Sequence, residues 1–447
     1  MRCLLVAVTF VLMGAGIACA DSRPNLLIIL ADDLGYNDVG MNGTREVLTP
    51  AIDKLAADGM RFVNMRANCT VCSPSRAALM TGKFADRAGV PGVIRTEPEN
   101  SWGYLATNTV TLADALRTAG YHTALVGKWH LGLAAPNLPN QRGFDLFHGF
   151  LGDMMDSYTL HLRGGKNFMR KNSDVLQTAG THATDLFTDW ACDYLRDRAQ
   201  AKQPFFLYLC YNAPHFPVEP PADCLARVKA RHPEMPAVRA KMVAMVEHLD
   251  AGVARVLETL RQTGLERDTL VVFTSDNGGC IPVGSDNSPW RGAKEDHYDG
   301  GLRVPFVVRW PAGVEAGAVS HHAGLVFDLF PMALELANAP VSPDLDAVSL
   351  LPALKGQAPD TSSRQLYFVR REGGKRYGGK AYEALIQGDW KLVQNTPYSP
   401  AELFNLRDDP AERNDLSASN GQQLERLRRA LQHHIQQGGC VPWQPGL

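Results

Sequence analysis

The residues best able to do chemistry lie around Cys72, where a cysteine, a proline and an arginine stand close together. Pro74 suits the first position of a helix, because its missing N–H group would have no partner there. The run from Ser75 to Met80 favours helix, so Cys72 is expected just ahead of a helix N-terminus, where unpaired N–H groups attract anions. Arg76 adds a positive charge. The stretch therefore predicts a nucleophile beside an anion-binding site.

Two other interpretations of Cys72 remain open. A free cysteine is commonly buried, so Cys72 could be a structural thiol in a helix cap. Cys69 and Cys72 also form a Cys-x-x-Cys pair, which is typical of redox sites. A thioredoxin-like site would lie in a small domain, after its first short strand. The pair lies instead in a chain of 447 residues, with many oxygen ligands around it, which argues against redox chemistry.

Two pairs of oxygen-bearing side chains follow apolar runs. Asp32 and Asp33 close one run, and Asp276 and Asn277 follow another. Taken singly, each pair could be a cap or a turn. Carboxylate and amide oxygens favour a hard cation, Ca²⁺ or Mg²⁺, over zinc. Together the two pairs predict a site for such a cation.

Two lysines and two histidines complete the set of candidate residues. Lys128 and His130 lie in the segment Gly-Lys-Trp-His-Leu-Gly, His215 follows Ala-Pro, and Lys294 ends the segment Arg-Gly-Ala-Lys. Alone, each lysine would be a solvated amine and each histidine a hydrogen-bonded loop residue. Their positions after apolar runs make them candidates for binding an anion and moving protons.

Four apolar runs of strand length share one layout, because polar residues follow each of them at once. Such continuous runs are typical of parallel strands covered by helices on both faces. Ligands bind beyond the carboxyl ends of the strands in these sheets, so the polar clusters are expected to converge there. Helix signals stand between the runs, for example from residue 111 to Gly120 and from 237 to 263. The runs cover residues 25–31, 123–127, 204–209 and 269–274.

These motifs resemble the sulfatase family, whose signature is Cys or Ser, any residue, Pro, Ser and Arg, followed by Thr-Gly. The segment from Cys72 to Gly82 fills every position, and residues 127–132 match the second family signature. The resemblance implies a type I sulfatase of the alkaline phosphatase superfamily. Its fold would be α/β, with a large mixed, mostly parallel sheet between helices and a smaller C-terminal α+β subdomain containing a short antiparallel sheet.

The resemblance also implies how the nucleophile and the metal arise. A formylglycine-generating maturation enzyme would convert Cys72 to formylglycine, whose hydrate attacks sulfur. One Ca²⁺ would be held by Asp32, Asp33, Asp276 and Asn277, with the oxygen of the modified Cys72 beside it. Asp276 would also act as the base for the attack.

The remaining roles come from the same resemblance. Arg76 and Lys128 would hold the diol at position 72, whereas Lys294 and His215 would bind the sulfate. His215, with Lys294, would protonate the leaving oxygen. His130 would take a proton from the second hydroxyl, which expels sulfate and restores the aldehyde. One position departs from the family pattern, since Asp299 stands where the family more often has Glu, and this bears on the support of the lysine segment.

The expected activity is hydrolysis of a sulfate ester to an alcohol and inorganic sulfate. A sulfated carbohydrate is a more plausible substrate than a steroid, because no hydrophobic hairpin for a membrane is visible. The irregular segments 90–107, 153–180 and 370–382 are expected to contact the sugar. Two alternatives remain, a phosphonate or phosphate monoester hydrolase of the same superfamily and a secreted sulfoglycan-binding protein that is never matured.

Composition and the N-terminus restrict the location and the partners. The formal net charge is only −2, with 45 basic and 47 acidic residues, so nothing indicates nucleic-acid binding or a stable membrane association. Residues 1–20 read as a secretory signal peptide with an Ala-x-Ala cleavage site, although Cys19 leaves lipoprotein anchoring open. The protein is expected to be secreted or periplasmic, or lysosomal in a eukaryote.

The chain is expected to divide after the signal peptide into two parts. Residues 21–355 would form the catalytic domain, and a segment rich in turn-forming residues follows it. Short strand patterns and a final helical pattern then predict a C-terminal subdomain over residues 364–447.

Overall fold

The computed structural model describes residues 23–357, 360–373, 377–378 and 380–444, apart from the side chain of Pro98. The predicted signal peptide, residues 1–20, lies outside the described residues. Among those that are described, no helix is both long and apolar enough to cross a membrane.

The described residues form the following strands and helices. The strands are β1 (Asn25–Asp32), β2 (Met60–Phe62), β3 (Met65–Arg66), β4 (His122–Lys128), β5 (Leu146–Phe150), β6 (Leu162–Arg163), β7 (Lys166–Asn167), β8 (Met169–Lys171), β9 (Asp174–Val175), β10 (Phe205–Pro214), β11 (Thr269–Ser275), β12 (Phe306–Arg309), β13 (Ala318–Ser320), β14 (Gly324–Leu325), β15 (Gln365–Arg371), β16 (Ala381–Gln387), β17 (Trp390–Gln394) and β18 (Glu402–Asn405). The helices are α1 (Pro50–Ala57), α2 (Cys72–Thr81), α3 (Leu112–Thr118), α4 (Ala183–Arg198), α5 (Ala222–Arg231), α6 (Ala237–Gln262), α7 (Asp299–Leu302), α8 (Leu329–Leu336), α9 (Leu351–Leu354) and α10 (Gly421–Gly438).

A sheet of ten strands forms the centre of the molecule, in the order β13-β2-β12-β11-β1-β10-β4-β5-β8-β9. The strands from β11 to β5 are parallel to one another, whereas β12 and β8 pair antiparallel to them on either side. The four predicted apolar runs are β1, β4, β10 and β11, which are neighbours in this parallel part. The predicted α/β fold with a mixed, mostly parallel sheet is confirmed.

Both faces of the sheet are covered, which explains why the central strands are apolar throughout. Leu26 and Ile28 of β1 lie in one apolar core with α2, α3 and α8. Leu27 and Ile29 lie in a second core with α1, α4, α5 and α6. Because successive side chains of a strand point to opposite faces, a run that is apolar at every position fits only a sheet with helices on both sides.

Strand β10 is longer than the sequence predicts. The apolar pattern ends at Leu209, but the strand continues to Pro214. Its register with β1 shifts between Leu30 and Asp32, which pair with Cys210 and Pro214. A polar pair, Tyr211 and Asn212, looks like the start of a loop, yet both side chains are buried. The extension places His215 at the rim of the sheet.

A separate antiparallel sheet, in the order β15-β16-β17-β18, forms the C-terminal region. Leu427 and Leu431 of α10 pack with Leu385 and Leu403 of this sheet in a third apolar core. The predicted α+β composition with a short antiparallel sheet is confirmed, whereas β18 was not predicted. The boundary between the two parts stays a prediction.

A buried charge cluster joins the C-terminal sheet to the rest of the molecule. Nζ of Lys391, in β17, lies 3.0 Å from Asp299 Oδ1 and 2.7 Å from Glu412 Oε1. Arg66 and Arg303 contact the same Asp299 carboxylate, at 2.6 and 2.8 Å. Asp299, the departure from the family pattern, therefore fixes the end of the segment that carries Lys294.

We expect Lys391→Met to lower the free energy of unfolding by about 3 kcal/mol, because a buried carboxylate that loses its cation keeps its desolvation cost. Glu412 is the group left without its ammonium partner. Chemical denaturation followed by fluorescence measures the change. Lys54→Met is the matched control, since the Lys54–Asp58 pair is exposed and should contribute about 1 kcal/mol or less. Equal effects of the two substitutions would contradict a structural role of the buried cluster.

Candidate active site

The polar residues at the strand ends meet at one edge of the central sheet. Asp32 ends β1, Lys128 ends β4, His215 directly follows β10, and Asp276 directly follows β11. Parallel strands end at the same edge, so side chains up to 244 positions apart in sequence come together here. The predicted convergence of these clusters is present in the structure.

Helix α2 delivers two further residues to the same edge. It begins at Cys72 itself, so the prediction that Cys72 precedes the helix was wrong. Pro74 occupies the first turn, where the missing N–H group is tolerated. The hydroxyl of Ser75 accepts from the N–H of Cys69 and donates to its carbonyl, which fixes the chain before the helix. Arg76 lies about one turn after Cys72 and is completely buried.

Arg76 and Lys128 neutralise two of the carboxylates. Nη2 of Arg76 lies 2.7 Å from Asp276 Oδ2, and its Nε donates to the same oxygen at 2.9 Å. Nζ of Lys128 lies 2.5 Å from Asp32 Oδ2. All four side chains are buried. Burial disfavours the charge on Lys128, but the Asp32 carboxylate outweighs it and raises the pKa of the lysine.

The third carboxylate, Asp33, is held by a different set of groups. Nζ of Lys294 lies 2.7 Å from Asp33 Oδ2, and the amide of Asn277 donates to Asp33 Oδ1 at 2.8 Å. Nε2 of His215 lies 3.1 Å from the same lysine nitrogen. Burial alone would raise the pKa of Asp33, but His215 and Lys294 together hold it below its usual value.

Three residues at this edge have a left-handed backbone. Asp33 and His130 have φ values of 63° and 60°, which are uncommon for residues other than glycine. Gly127, with φ of 102°, has no alternative, because a Cβ atom there would lie 1.9 Å from the carbonyl oxygen of Cys210. Backbone strain of this kind is typical of functional sites, where surrounding contacts hold it in place.

One ring nitrogen of His130 is open as a hydrogen-bond acceptor. Its Nε2 lies 2.7 Å from the carbonyl oxygen of Ile94 and must therefore be the protonated nitrogen. Its Nδ1 has no hydrogen-bond partner among the described residues. Burial, together with the charges of Lys128 and Arg76, lowers the pKa of His130 well below the usual value, so the ring is neutral.

The donors at this edge fit a hard cation. Single ligand atoms of Asp32, Asp33, Cys72 and His215 all lie within 4.8 Å of one another. Oδ1 of Asp32 and Oδ1 of Asn277 are buried without a hydrogen-bond partner among the described residues. Buried oxygens without donors are costly unless a cation is near. The close cluster also includes the Cys72 thiol and the His215 ring, but not Asp276. Carboxylate and amide oxygens, which Asp32, Asp33 and Asn277 offer, are the ligands that calcium prefers.

Asp276 is bound into this group through the backbone and through Arg76. Its Oδ1 accepts from the N–H group of Asp33 at 3.2 Å. Burial and the nearby Asp32 carboxylate raise the pKa of Asp276, although Arg76 and Lys128 oppose the shift. Such crowding of carboxylates would be relieved by a cation bound among them.

A cavity of about 740 Å³ opens above Cys72, and His130, His215 and Lys294 line it as well. All three segments expected to contact a sugar contribute to the wall, with Arg95, Asp153 and Tyr377 among their residues. None of these was selected individually from the sequence. They lie in irregular segments and short hairpins without a strand-end position to mark them.

The chain matches known proteins over nearly its whole length. The sequence profile of the family described as Sulfatase matches residues 24–339, and the profile described as N-sulphoglucosamine sulphohydrolase, C-terminal, matches residues 293–438. N-acetylgalactosamine-6-sulfatase of Sus scrofa is 31% identical over 97% of this chain and 90% of its own length. The same enzyme of Mus musculus is 30% identical over 99% of this chain and 91% of its own.

A solved structure gives the same result in three dimensions. The crystal structure of Ps i-CgsB in complex with k-i-k-neocarrahexaose superposes with a TM-score of 0.86 at 31% identity, and the match covers 94% of this chain and 95% of that one. Profile, sequence and fold agree across both the central sheet and the C-terminal sheet. The chain therefore belongs to the sulfatase family, as a type I member of the alkaline phosphatase superfamily, and is a sulfuric ester hydrolase.

Proposed function

We propose that this enzyme releases inorganic sulfate from a sulfated carbohydrate, with a formylglycine made from Cys72 and one Ca²⁺ at the site. One observation carries the proposal. Sγ of Cys72 lies within 4.8 Å of the ligand atoms of Asp32, Asp33 and His215, and Cys72 lines the cavity of about 740 Å³. A nucleophile, carboxylates and a lysine thus surround one position that a small anionic group can reach.

The surroundings of Cys72 support a modified side chain as the nucleophile. Burial raises the pKa of the Cys72 thiol to about 12, although Lys128 opposes the shift. Such a thiol is almost entirely protonated at neutral pH and is then a weak nucleophile. Formylglycine at this position, as its hydrate, would supply an oxygen nucleophile and a second hydroxyl from which the aldehyde re-forms. A formylglycine-generating enzyme would make the conversion.

The charge balance supports a bound calcium. Three buried carboxylates face the buried Arg76 and Lys128 and the partly exposed Lys294 at this edge. Burial lowers the pKa of His215 to about 3, so that its ring adds no charge. Without a metal the site would have no net attraction for a sulfate monoanion. Asp32, Asp33, Asp276 and Asn277 would hold Ca²⁺, which supplies a Lewis acid toward a sulfate oxygen and the missing positive charge.

Lys294 and His215 are the groups placed to receive the sulfate and return a proton to the leaving alcohol. Nδ1 of His215 lies 2.6 Å from the carbonyl oxygen of Phe216, so this nitrogen carries the proton. Nε2 then accepts from the ammonium group of Lys294. In the free site the transferable proton is therefore on Lys294, and His215 can pass on only a proton received from there.

Arg76, Lys128 and His130 would serve the side chain at position 72. The two cations are buried behind it and fixed by Asp276 and Asp32, so they can hold an oxygen nucleophile without reorganising. Nδ1 of the neutral His130 is the open acceptor for the second hydroxyl proton. These roles use every cationic or imidazole side chain that the sequence selected.

The carbohydrate class is supported by the relatives and by the cavity. The two enzymes named above, from Mus musculus and Sus scrofa, are N-acetylgalactosamine-6-sulfatases, and the superposed crystal structure holds an oligosaccharide. The cavity volume is in the range of about 300–1,000 Å³ that is usual for small-molecule sites. The predicted signal peptide would bring the enzyme to the secretory route or the periplasm.

Release of inorganic sulfate tests the proposal directly. Matured enzyme should release sulfate from para-nitrophenyl sulfate and from at least one member of a panel of monosulfated galactose and N-acetylgalactosamine isomers. The matched phosphate and phosphonate esters should be hydrolysed at least tenfold more slowly. A faster phosphonate reaction would assign the other activity of the superfamily. Binding of sulfated sugar without any sulfate release by matured protein would assign a binding protein.

A further inference from the structure

We propose that Arg163, fixed by Asp153 and Asp156, binds neutral hydroxyl groups of the substrate sugar and selects a ring that carries one sulfate and no second anion. This inference rests on the proposed action on sulfated carbohydrate. It concerns the cavity wall away from the residues that would hold the metal and the sulfate.

Arg163 is held rigidly at the cavity. It ends the short strand β6, which pairs with β7 in a hairpin. Its Nε and Nη2 donate to the two oxygens of Asp153 at 2.9 and 3.2 Å, and its Nη1 donates to Asp156 at 3.1 Å. The backbone N–H group of Gly164 also donates to Asp156, at 2.5 Å. A guanidinium fixed by two carboxylates has little freedom left to lose when a ligand binds.

The same geometry leaves hydrogen-bonding capacity for a ligand. Bonds to the described residues use three of the five N–H groups of Arg163. Its side chain keeps 29% of its exposure, and Asp156 keeps 43%. Donors and an acceptor therefore stand side by side, a pattern that matches adjacent sugar hydroxyls, each of which can both accept and donate.

The charge around Arg163 argues against a second anionic group on the sugar. Arg163 with Asp153 and Asp156 has one more negative than positive charge. Glu97 also lines the cavity and adds further negative charge, whereas Glu295 is paired with Arg370 at 3.4 Å. The other arginine of the wall, Arg95, is already paired with Glu372 and with the hydroxyl of Tyr377. A carboxylate or second sulfate would therefore meet guanidinium groups that carboxylates already neutralise, and a wall with an excess of negative charge.

The test compares the activity of the Arg163→Ala variant on two substrates. We expect kcat/KM for the best hexose monosulfate of the panel to fall about 10- to 100-fold, mostly through KM, because charge-assisted hydrogen bonds to the ring are lost. The loss for para-nitrophenyl sulfate should be at least tenfold smaller, since that ester has no sugar hydroxyls. Arg163→Lys should lie between wild type and Arg163→Ala, because it keeps the charge but not the planar fork.

A second comparison tests selection against another anion. Wild-type enzyme should hydrolyse the same hexose with an added sulfate at least tenfold less efficiently than the monosulfate. Asp153→Asn removes one negative charge with little change of shape, and it should reduce that ratio by at least threefold.

The outcomes separate this inference from the proposed function. Arg196→Ala, on an exposed ion pair of α4, is the control and should leave both substrates unaffected. Equal losses on both substrates, or no loss on the sugar, with active wild-type enzyme would overturn the role of Arg163 alone. A preference of wild type for the disulfated hexose would overturn the selection for one sulfate. Wild-type activity on para-nitrophenyl sulfate with none on any sugar would instead refute the proposed substrate class.

Discussion

Cys72→Ala is expected to lower sulfate release by at least about 10⁴-fold, the scale of removing a catalytic nucleophile. Alanine supplies no atom that could be converted to an oxygen nucleophile. The fold should persist, because the substitution removes one sulfur atom at the edge of a cavity and adds no volume. Release from para-nitrophenyl sulfate, with circular dichroism and thermal unfolding as the fold check, measures both parts of the expectation.

Cys69 offers the matched control within the same segment. It is also buried, and its Sγ contacts the carbonyl oxygen of Val369 at 3.2 Å instead of the carboxylate cluster. Cys69→Ala should therefore keep activity within about threefold of wild type once thermal stability is allowed for. Mass analysis of the peptide that contains Cys72 shows independently whether this residue has been converted to formylglycine. Fully active protein with an unmodified Cys72 thiol would exclude formylglycine as the nucleophile.

The parallel sheet and its functional edge could be predicted because one physical rule connects them. A strand that is apolar at every position must be covered on both faces, and such strands run parallel and end at one edge. Asp32 and Lys128 follow such a run directly, and Asp276 directly follows strand β11. Their position relative to the sheet therefore followed from the sequence pattern, although their contacts did not.

The parts that could not be predicted depend on contacts between distant segments. The extension of β10 follows from burial of Tyr211 and Asn212 by other elements, which a local pattern does not encode. The start of α2 was placed late because Pro74 is compatible with several positions of the first turn. Arg163 and Asp153 meet through a hairpin of two-residue strands, too short to give a periodic signal.

The sequence has nine cysteines, and the seven that follow the predicted signal peptide illustrate the same limit. After removal of Cys72 as the nucleophile, six remain, an even number that is compatible with disulfides in an oxidising compartment. All seven are free among the described residues, and Cys192, Cys210 and Cys224 lie in the two large apolar cores. Counting could not show this, because pairing depends on which thiols the fold brings together.

Removal of the proposed Ca²⁺ is expected to lower sulfatase activity at least 100-fold and to destabilise the folded protein. Dialysis against a chelator, followed by assay with para-nitrophenyl sulfate, measures the first effect. Thermal unfolding with and without Ca²⁺ measures the second, since a ligand at a hundred times its Kd stabilises the folded state by about 2.7 kcal/mol. The stability reading does not depend on maturation of Cys72, so it tests the ligand set even in protein without formylglycine.

Asp33→Asn should remove most of this stabilisation by Ca²⁺, because it removes the charge of one of the proposed ligands. In the structure this carboxylate contacts Lys294 and Asn277. Asp344→Asn is the control, since Asp344 lies on the surface, paired with Lys83, and should leave the calcium effect unchanged. Ca²⁺ should restore more activity than Mg²⁺, because Ca²⁺ accepts several protein oxygens as ligands, whereas Mg²⁺ usually retains several waters. Full activity in excess chelator, in protein shown by metal analysis to hold no divalent ion, would contradict the assigned ligands. In that case the carboxylates would serve only to orient Arg76, Lys128 and Lys294, and the site would have to attract sulfate without a net positive charge.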